Sequence, residues 1–374
     1  MKIVHVISGL NDGGAEGVLF RLIKSTKSEF KHEVICFLDE GKYGRILESN
    51  NIKVTYLRMS RSSLNFFKIL RIYSILKFTS PDVVQTWMYH SDLIGGIFAK
   101  VLGVKKIFWN IRSSSYKFGK TKFKTILLIY VCGFFSWFVP SKVIINSKKA
   151  INIHRKYIYK NNFTLIYNGI DPSIFKKNDN NRNGIRKKLV ISESTFLIGC
   201  IARFDPQKDH LNLLKAIHLF KAINSNFRLL LIGKGITKLD HICNRFIKKH
   251  ELIGNLILLE NQPNIFEYYN SLDLFILPSL YGEGFPNVLG EAMSSEIPCI
   301  STNIGDSEFI IPDKNFIIAK NNPNKLYEKI VKIYNLYKNN KKEYEKIQFN
   351  NRKKIINNFN IDQMVDQYSL LWRI

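Results

Sequence analysis

The chain has 374 residues, 45% hydrophobic and 23% charged, with a formal net charge of +26. That length exceeds what one hydrophobic core usually serves, and the apolar content argues against a disordered or fibrous chain, so two globular domains are expected. Five singly spaced cysteines without a C-x-x-C pair argue against a disulfide framework or zinc site and point to a reducing cytoplasm.

The N-terminus, "MKIVHVISGL", enters a strand pattern at once and lacks the apolar core and cleavage site of a signal peptide. Short, β-branched apolar runs then recur at 2–8, 32–38, 52–57, 82–87, 105–110, 142–147 and 163–168, and helix-length segments separate most of them. This is the rhythm of a parallel sheet covered on both faces. "NGIDPSIF" (168–175) breaks it with an Asn-Gly turn and a proline, and "KKNDNNRNG" (176–184) reads as a polar linker. The rhythm restarts at 195–202, 227–233, 255–260, 272–278 and 297–301, and from 323 onward the pattern is helical. The expected fold class is therefore α/β: two doubly wound, Rossmann-like domains, 1–170 and 171–374. Ligands of such sheets sit beyond the strand carboxyl ends, so the cleft between the domains is the expected site.

Charge is distributed unevenly. Residues 1–170 carry 27 Lys and Arg against 9 Asp and Glu, net +18, and the remaining residues carry 29 against 21, net +8. A basic N-terminal half predicts an anionic partner there. The longest apolar stretch, 125–139, has 15 residues. It falls short of the roughly 20 that span a bilayer and predicts a buried or interfacial helix. "RMSRSSLNFFKILRIYSILKF" (58–78) and "KFGKTKFKTILLIYV" (117–131) mix basic and apolar residues, as helices lying in an anionic headgroup layer do. Lys117, Lys120, Lys122 and Lys124 lead the second segment. The prediction is peripheral association with an anionic membrane surface. No RNP-like aromatic motif supports a nucleic-acid partner.

Three loops could carry chemistry. In "SGLNDGGAEGVLFRL" (8–22), Gly13 and Gly14 separate the first strand from the first helix, where bare amides either meet an anion or merely make a tight turn. In "IARFDPQKDH" (201–210), Arg203 and Lys208 precede a helix expected over 209–223, with Asp209 as its cap. A guanidinium fork and an ammonium beside a helix N-terminus can hold a diphosphate. In "YGEGFPNVLGEAM" (281–293), Pro286 suits a first helical turn, so the amides of Asn287, Val288 and Leu289 would face outward. Glu283 precedes that turn and Glu291 lies within the helix. Two carboxylates over an anion-seeking helix end suit a molecule with hydroxyls on both sides of a phosphate, such as a nucleotide sugar.

"EGFPNVLGE" (283–291) resembles the E-x7-E motif of retaining glycosyltransferases of family 4, which have the GT-B fold. "GGAE" (13–16), "NGID" (168–171), R-x4-K at 203–208 and "LPSLYGEGFPNVLGEAM" (277–293) extend the resemblance along most of the chain, and "TWMYHSDLIGGIFAK" (86–100) is similar to bacterial surface-polysaccharide members. The resemblance implies an N-terminal acceptor-binding domain and a C-terminal donor-binding domain whose last helix packs back toward the first. It implies that Arg203 and Lys208 bind the diphosphate of a UDP- or GDP-sugar, Glu291 the ribose hydroxyls and Glu283 a sugar hydroxyl. Amides around Gly284, Phe285, Pro286, Asn287 and Val288 would seat the sugar. Gly13 and Gly14 would border the phosphate, and "LIGKG" (231–235) with Asn261 the base.

Many relatives place a His in the loop that here reads "NIRSSS", so Arg112 stands where an imidazole is common, and His90 occupies a neighbouring strand-end loop. Either could serve a polyprenyl-diphosphate-linked or saccharide acceptor. The implied reaction is front-face displacement on a nucleotide-sugar substrate. Arg203, Lys208 and helix amides stabilise the leaving diphosphate, and Glu283 ranks as a binding group above a nucleophile. No cofactor is implied, and no D-x-D element suggests a metal. Two other readings remain open: a GT-B sugar-nucleotide epimerase using Asp12 and Glu16, and a non-catalytic basic protein coating RNA or membrane.

Overall fold

A computed structural model describes residues 1–11, 13–60, 65–112 and 123–374. They divide into two compact units, Met1–Gly169 with Asp362–Ile374, and Ile170–Ile361. In the first, β1 (Lys2–Ile7), β2 (Lys31–Cys36), β3 (Lys53–Tyr56), β4 (Val83–Trp87), β5 (Lys106–Ile111), β6 (Lys142–Ile145) and β7 (Phe163–Leu165) form a parallel sheet in the order β3-β2-β1-β4-β5-β6-β7. In the second, β8 (Phe196–Ile201), β9 (Phe227–Ile232), β10 (Leu256–Leu259), β11 (Leu274–Leu277), β12 (Cys299–Thr302) and β13 (Ile317–Ile318) follow the order β10-β9-β8-β11-β12-β13. The central strands are mostly apolar because helices cover both faces, and β4 and β11 are buried throughout, with Gln85 and Thr86 of β4 the polar exceptions. In each sheet the order reverses beside the first strand, at β1/β4 and at β8/β11. Loops leaving the carboxyl ends there diverge, which is where open α/β sheets take ligands.

Every strand segment read from the sequence forms, with ends shifted by up to three residues. β13 was not anticipated, because two residues are too short to show a pattern. The segment 176–184 is a correction: Asp179–Lys188 is a helix, with the Asn178 side chain accepting from the Asn181 amide as its cap. Its polar residues are tied inward. Arg182 Nη2 meets Asp273 Oδ1 at 2.8 Å and Arg186 Nη1 meets Oδ2 at 3.3 Å. The Leu197 amide donates to the same Oδ2 at 2.7 Å. Arg186 is 1% and Asp273 2% exposed. Three donors on one buried carboxylate turn a polar stretch into a core helix.

The final helix, Ile361–Arg373, serves the first unit. Trp372 Nε1 donates to Gln85 Oε1 at 3.3 Å, and Lys106 Nζ donates to the terminal carbonyls of Trp372 and Arg373, each at 3.0 Å. Beneath it lies a buried proton chain whose direction can be deduced. Thr26 Oγ1 donates to Leu22 O, so His32 Nε2 must donate to Thr26 Oγ1. His32 Nδ1 then accepts from His5 Nε2 at 3.0 Å, and His5 Nδ1 accepts from Trp87 Nε1 at 3.3 Å. Both rings are neutral, each nitrogen being committed to one role.

Burial pushes His5 well below its ordinary pKa, and a charge on His32 would push it further down. Burial likewise brings His32 and His154 down to about 4. The unfolded chain therefore binds more protons than the folded one between the ordinary histidine value and about 4. Stability should fall as pH drops through that window, by up to about 1.4 kcal/mol per pH unit for each such histidine. Urea midpoints at pH 7, 6 and 5 measure this, and a flat profile would contradict the neutral chain. Asp273→Ala should cost about 3–5 kcal/mol, because it leaves the buried Arg186 with only the exposed Glu193 carboxylate, 3.8 Å away. An unchanged urea midpoint would show that Arg186 needs no counter-charge.

Candidate active site

In the second unit, the loops after β8 and β11 flank the strand-order reversal. The chain leaves β8 at Ala202, whose amide bonds Ile232 O, and turns through a short 3-10 helix, Pro206–Lys208. The helix that follows is His210–Lys221. Asp209 stands at its N-cap in the left-handed region (φ 50°) without a side-chain capping bond, so it does not cap as expected. Arg203 stays 55% exposed, its fork held by Asp205 Oδ2 at 3.3 Å and Gln207 Oε1 at 3.2 Å. Lys208 is 12% exposed and forms an ion pair with Glu283 Oε1, itself 12% exposed. Ser279 Oγ donates to the same oxygen at 2.9 Å.

Close approach shapes the loop carrying Glu283. Gly282 has φ +84°, and a Cβ there would lie 2.6 Å from the Gln207 amide group. At Gly305 (φ +49°) a Cβ would lie 2.3 Å from Gly284 O, the oxygen that accepts from the Asp306 amide. Only glycine fits either position. Gly284, Phe285 and Pro286 are buried, with Phe285 against the Phe359 ring at 5.2 Å. Helix Asn287–Ser294 starts one residue later than expected: Pro286 is its N-cap, and the Leu289 and Gly290 amides reach back to Pro286 O. Glu291 lies one turn inside, where Tyr269 Oη donates to its Oε2 at 2.9 Å. Burial first, then the Glu291 charge, drive the Tyr269 pKa well above its ordinary value and keep the phenol a donor.

Beyond β10, Glu260 Oε2 accepts from the Gly235 amide at 3.0 Å, and Oε1 accepts from Thr237 Oγ1 at 2.6 Å. The Thr237 bond leads in lowering the Glu260 pKa. Asn261 follows, exposed. Sequence reading missed Tyr269, Ser279, Gln207 and Glu260. Glu260 had a visible signal, an acid at a strand carboxyl end, whereas the others act only through tertiary contact.

In the first unit, Gly13 is the N-cap of helix Gly14–Thr26. The Glu16 carboxylate lies against it, 2.2 Å from where a Cβ would stand, and complements the positive helix end. Asp12 lies outside the described residues. His90 sits exposed in the first turn of helix Tyr89–Val101 and makes no hydrogen bond among the described residues.

Arg112, by contrast, is embedded. Its Nη1 donates to Asn168 Oδ1, its Nη2 to Tyr368 Oη at 2.7 Å, and its guanidinium lies 4.9 Å over the Trp87 ring. Tyr368 Oη also accepts from Asn110 Nδ2 at 2.8 Å, and the Asn110 amide bonds Asp92 Oδ1 at 3.3 Å. Burial pushes the Asp92 carboxyl up to about 7. The structure therefore joins Arg203, Lys208 and Glu283 in one cluster and places Glu291 in the helix that follows. It gives Arg112 a network of its own, in which His90 takes no part.

Known proteins share this plan. The family described as "Glycosyltransferase Family 4" matches residues 12–174, and "Glycosyl transferases group 1" matches residues 181–354. The UDP-Gal:alpha-D-GlcNAc-diphosphoundecaprenol alpha-1,3-galactosyltransferase of Escherichia coli is 26% identical over 311 residues, 81% of this chain and 78% of that protein. CapH of Staphylococcus aureus, a capsular polysaccharide biosynthesis glycosyltransferase, is 26% identical over 316 residues, 82% of each chain. HepE of Anabaena, solved in complex with UDP, has the same fold, with a TM-score of 0.86 at 18% identity over 99% of this chain and 98% of that one. With one family matching most of each unit, the chain belongs to the group 1/family 4 glycosyltransferases, retaining enzymes of the GT-B fold that use nucleotide-sugar donors.

Proposed function

We propose that the chain transfers a hexose from a UDP-sugar to a hydroxyl of a lipid-linked or saccharide acceptor, with retention, during assembly of a bacterial surface polysaccharide. The observation carrying this reading is the pairing of Lys208 with Glu283 beside the exposed Arg203 fork. It sets cations for a diphosphate next to a carboxylate for a sugar hydroxyl. HepE was solved with UDP and with UDP-glucose, and the Escherichia coli relative is named for UDP-Gal and a diphosphoundecaprenol-linked sugar. Those names favour UDP over GDP as the nucleotide.

An ammonium has three N–H donors, so Lys208 keeps two for phosphate oxygens while it holds Glu283. Glu283 Oε1 takes Lys208 and Ser279, and Oε2 is left for a sugar hydroxyl. Tyr269 fixes the Glu291 carboxylate, which has lone pairs enough for the ribose diol as well. Glu260 shapes the loop 234–237, which with Asn261 would border the base. Amides of Gly284 to Val288 would seat the sugar, and Gly13 and Gly14 would lie near the phosphate. In the reaction the acceptor hydroxyl attacks the anomeric carbon, the bond to the phosphate oxygen breaks on the same face, and the hydroxyl proton passes to that oxygen. Arg203 and Lys208 take up the growing negative charge, so their effect falls on the transition state.

Membrane association belongs to the same proposal. Helices Phe66–Thr79 and Phe123–Phe135 both pack against Tyr89–Val101, and they leave Phe66, Phe67 (81% exposed), Phe78, Phe123, Leu127 and Phe134 in solvent. Trp137 and Phe138 continue the second group, and Lys68, Arg71, Lys77 and Lys124 supply charge. Arg61, Lys117, Lys120 and Lys122 lie outside the described residues. No described helix is long and apolar enough to cross a membrane. An aromatic surface with a basic margin suits a headgroup layer.

Radiolabelled UDP-sugars incubated with a bacterial lipid extract test the reaction, and no transfer from any of them would sink it. Glu291→Ala should weaken UDP binding roughly ten- to hundredfold, from the loss of a charged hydrogen bond of about 1.5–3 kcal/mol. Glu283→Gln should bind UDP at least as tightly, because it frees Lys208, while transfer drops. Calorimetry with UDP separates the two, and equal losses of binding would overturn the division of roles. Anionic vesicles should sediment the protein and raised salt should release it. Equal recovery on neutral vesicles would remove the electrostatic part of the proposal.

A further inference from the structure

Arg21 lies on helix Gly14–Thr26, and its Nε and Nη2 are sealed from solvent with no hydrogen-bond partner. Arg112 Nε is in the same condition, although its other two nitrogens reach Asn168 and Tyr368. Those partners are neutral, and among the described residues neither guanidinium meets a carboxylate. The two cations also sense each other: burial pushes the Arg112 pKa down, Tyr368 opposes this, and the Arg21 charge pushes it down further. Guanidinium nitrogens taken out of water without an acceptor are unfavourable, and two such cations near one another are more so. Elsewhere the chain does not tolerate this, since Arg186 has Asp273.

The side chains are also aimed. Gly17 precedes Arg21 by one turn, and a Cβ there would lie 3.7 Å from Arg21 Nη1. Arg21 therefore leans back along its helix toward Gly13 and Gly14, as long helical side chains do. Trp87 beneath and Tyr368 at the edge hold the Arg112 plane. Such a fork is preorganised for the tetrahedral oxygens of a phosphate.

We propose that Arg21 and Arg112 form a phosphate-binding site in the first unit, and that the phosphate it takes belongs to the acceptor, a lipid diphosphate carrying the sugar to be extended. The assignment to the acceptor rests on the transferase reading above, whereas the phosphate site does not. It narrows the acceptor from any saccharide to a phosphorylated one, and it gives Arg21 a role that its sequence position did not suggest.

Inorganic pyrophosphate is the probe, titrated by calorimetry into the full-length protein. Arg203 and Lys208 would take pyrophosphate too, so the reference carries Arg203→Ala and Lys208→Ala. That reference should still bind one pyrophosphate. Adding Arg21→Gln should weaken the binding at least tenfold, and Arg21→Lys should recover part of it. No binding by the reference, or binding indifferent to Arg21, overturns the site. In phosphate-free buffer Arg21→Gln should melt no lower than its parent, because an unpaired buried charge has gone. A lower melting temperature would make Arg21 a structural group and also overturn the proposal.

A short-chain sugar-diphosphoprenol acceptor and the same sugar without phosphate then identify the source. Arg21→Gln should raise KM about tenfold for the first and not for the second. A rise in donor KM instead would overturn the acceptor assignment and give the phosphate to the donor. Pyrophosphate binding without transfer to any acceptor would overturn the transferase reading and leave the phosphate site standing.

Discussion

The Lys208–Glu283 ion pair is the contact on which the geometry of the candidate site depends. It ties the loop after β8 to the loop after β11, the two segments that diverge where the strand order reverses. Parallel strands place every loop of one kind at one sheet end, but they do not fix loop conformation. That is left to a few contacts: Lys208 with Glu283, the Leu280 amide with Gln207 O at 2.8 Å, and the Gly284 carbonyl with the Asp306 amide at 2.9 Å. At 12% exposure the pair sits where screening by water is weak, so its attraction exceeds that of a surface pair. Yet neither group is sealed from solvent.

Much of this was legible in the chain. Period and β-branching gave the strands, because a parallel strand buried on both faces must be apolar along its whole length. The two glutamates were visible because their spacing around a Gly-Phe-Pro turn fits a strand-loop-helix. Their partners were hidden for a physical reason. Tyr269 and Ser279 reach the glutamates through the fold, and nothing in "FEYYNSL" distinguishes Tyr269, which bonds Glu291, from Tyr268, which bonds Gln262.

The misreading of 176–184 has the same origin. Polar composition signals a linker only if the polar groups are solvated, and Arg182 and Arg186 are instead spent on Asp273, about ninety residues away in sequence. Asp209 erred in the opposite direction. An acid just before a helix is a sound capping signal, but its backbone is left-handed and its side chain makes no capping bond. Local patterns state what a residue can do, and tertiary geometry selects among the possibilities.

The same selection separates the two groups of cations at the strand ends. Arg203 and Lys208 come with acids, Asp205 and Glu283, close by. The charge of each of these cations is compensated within its own unit. Among the described residues Arg21 and Arg112 have no such acids, and the stacking of Arg112 on Trp87 supplies only part of what a counter-charge would. The basic excess of the N-terminal half is thus more than solvated lysine. Part of it is half-buried and, among the described residues, without a counter-charge, and it lies on the segments that follow β1 and β5. Positive charge held out of water with no counter-charge among the described residues favours the approach of an anion.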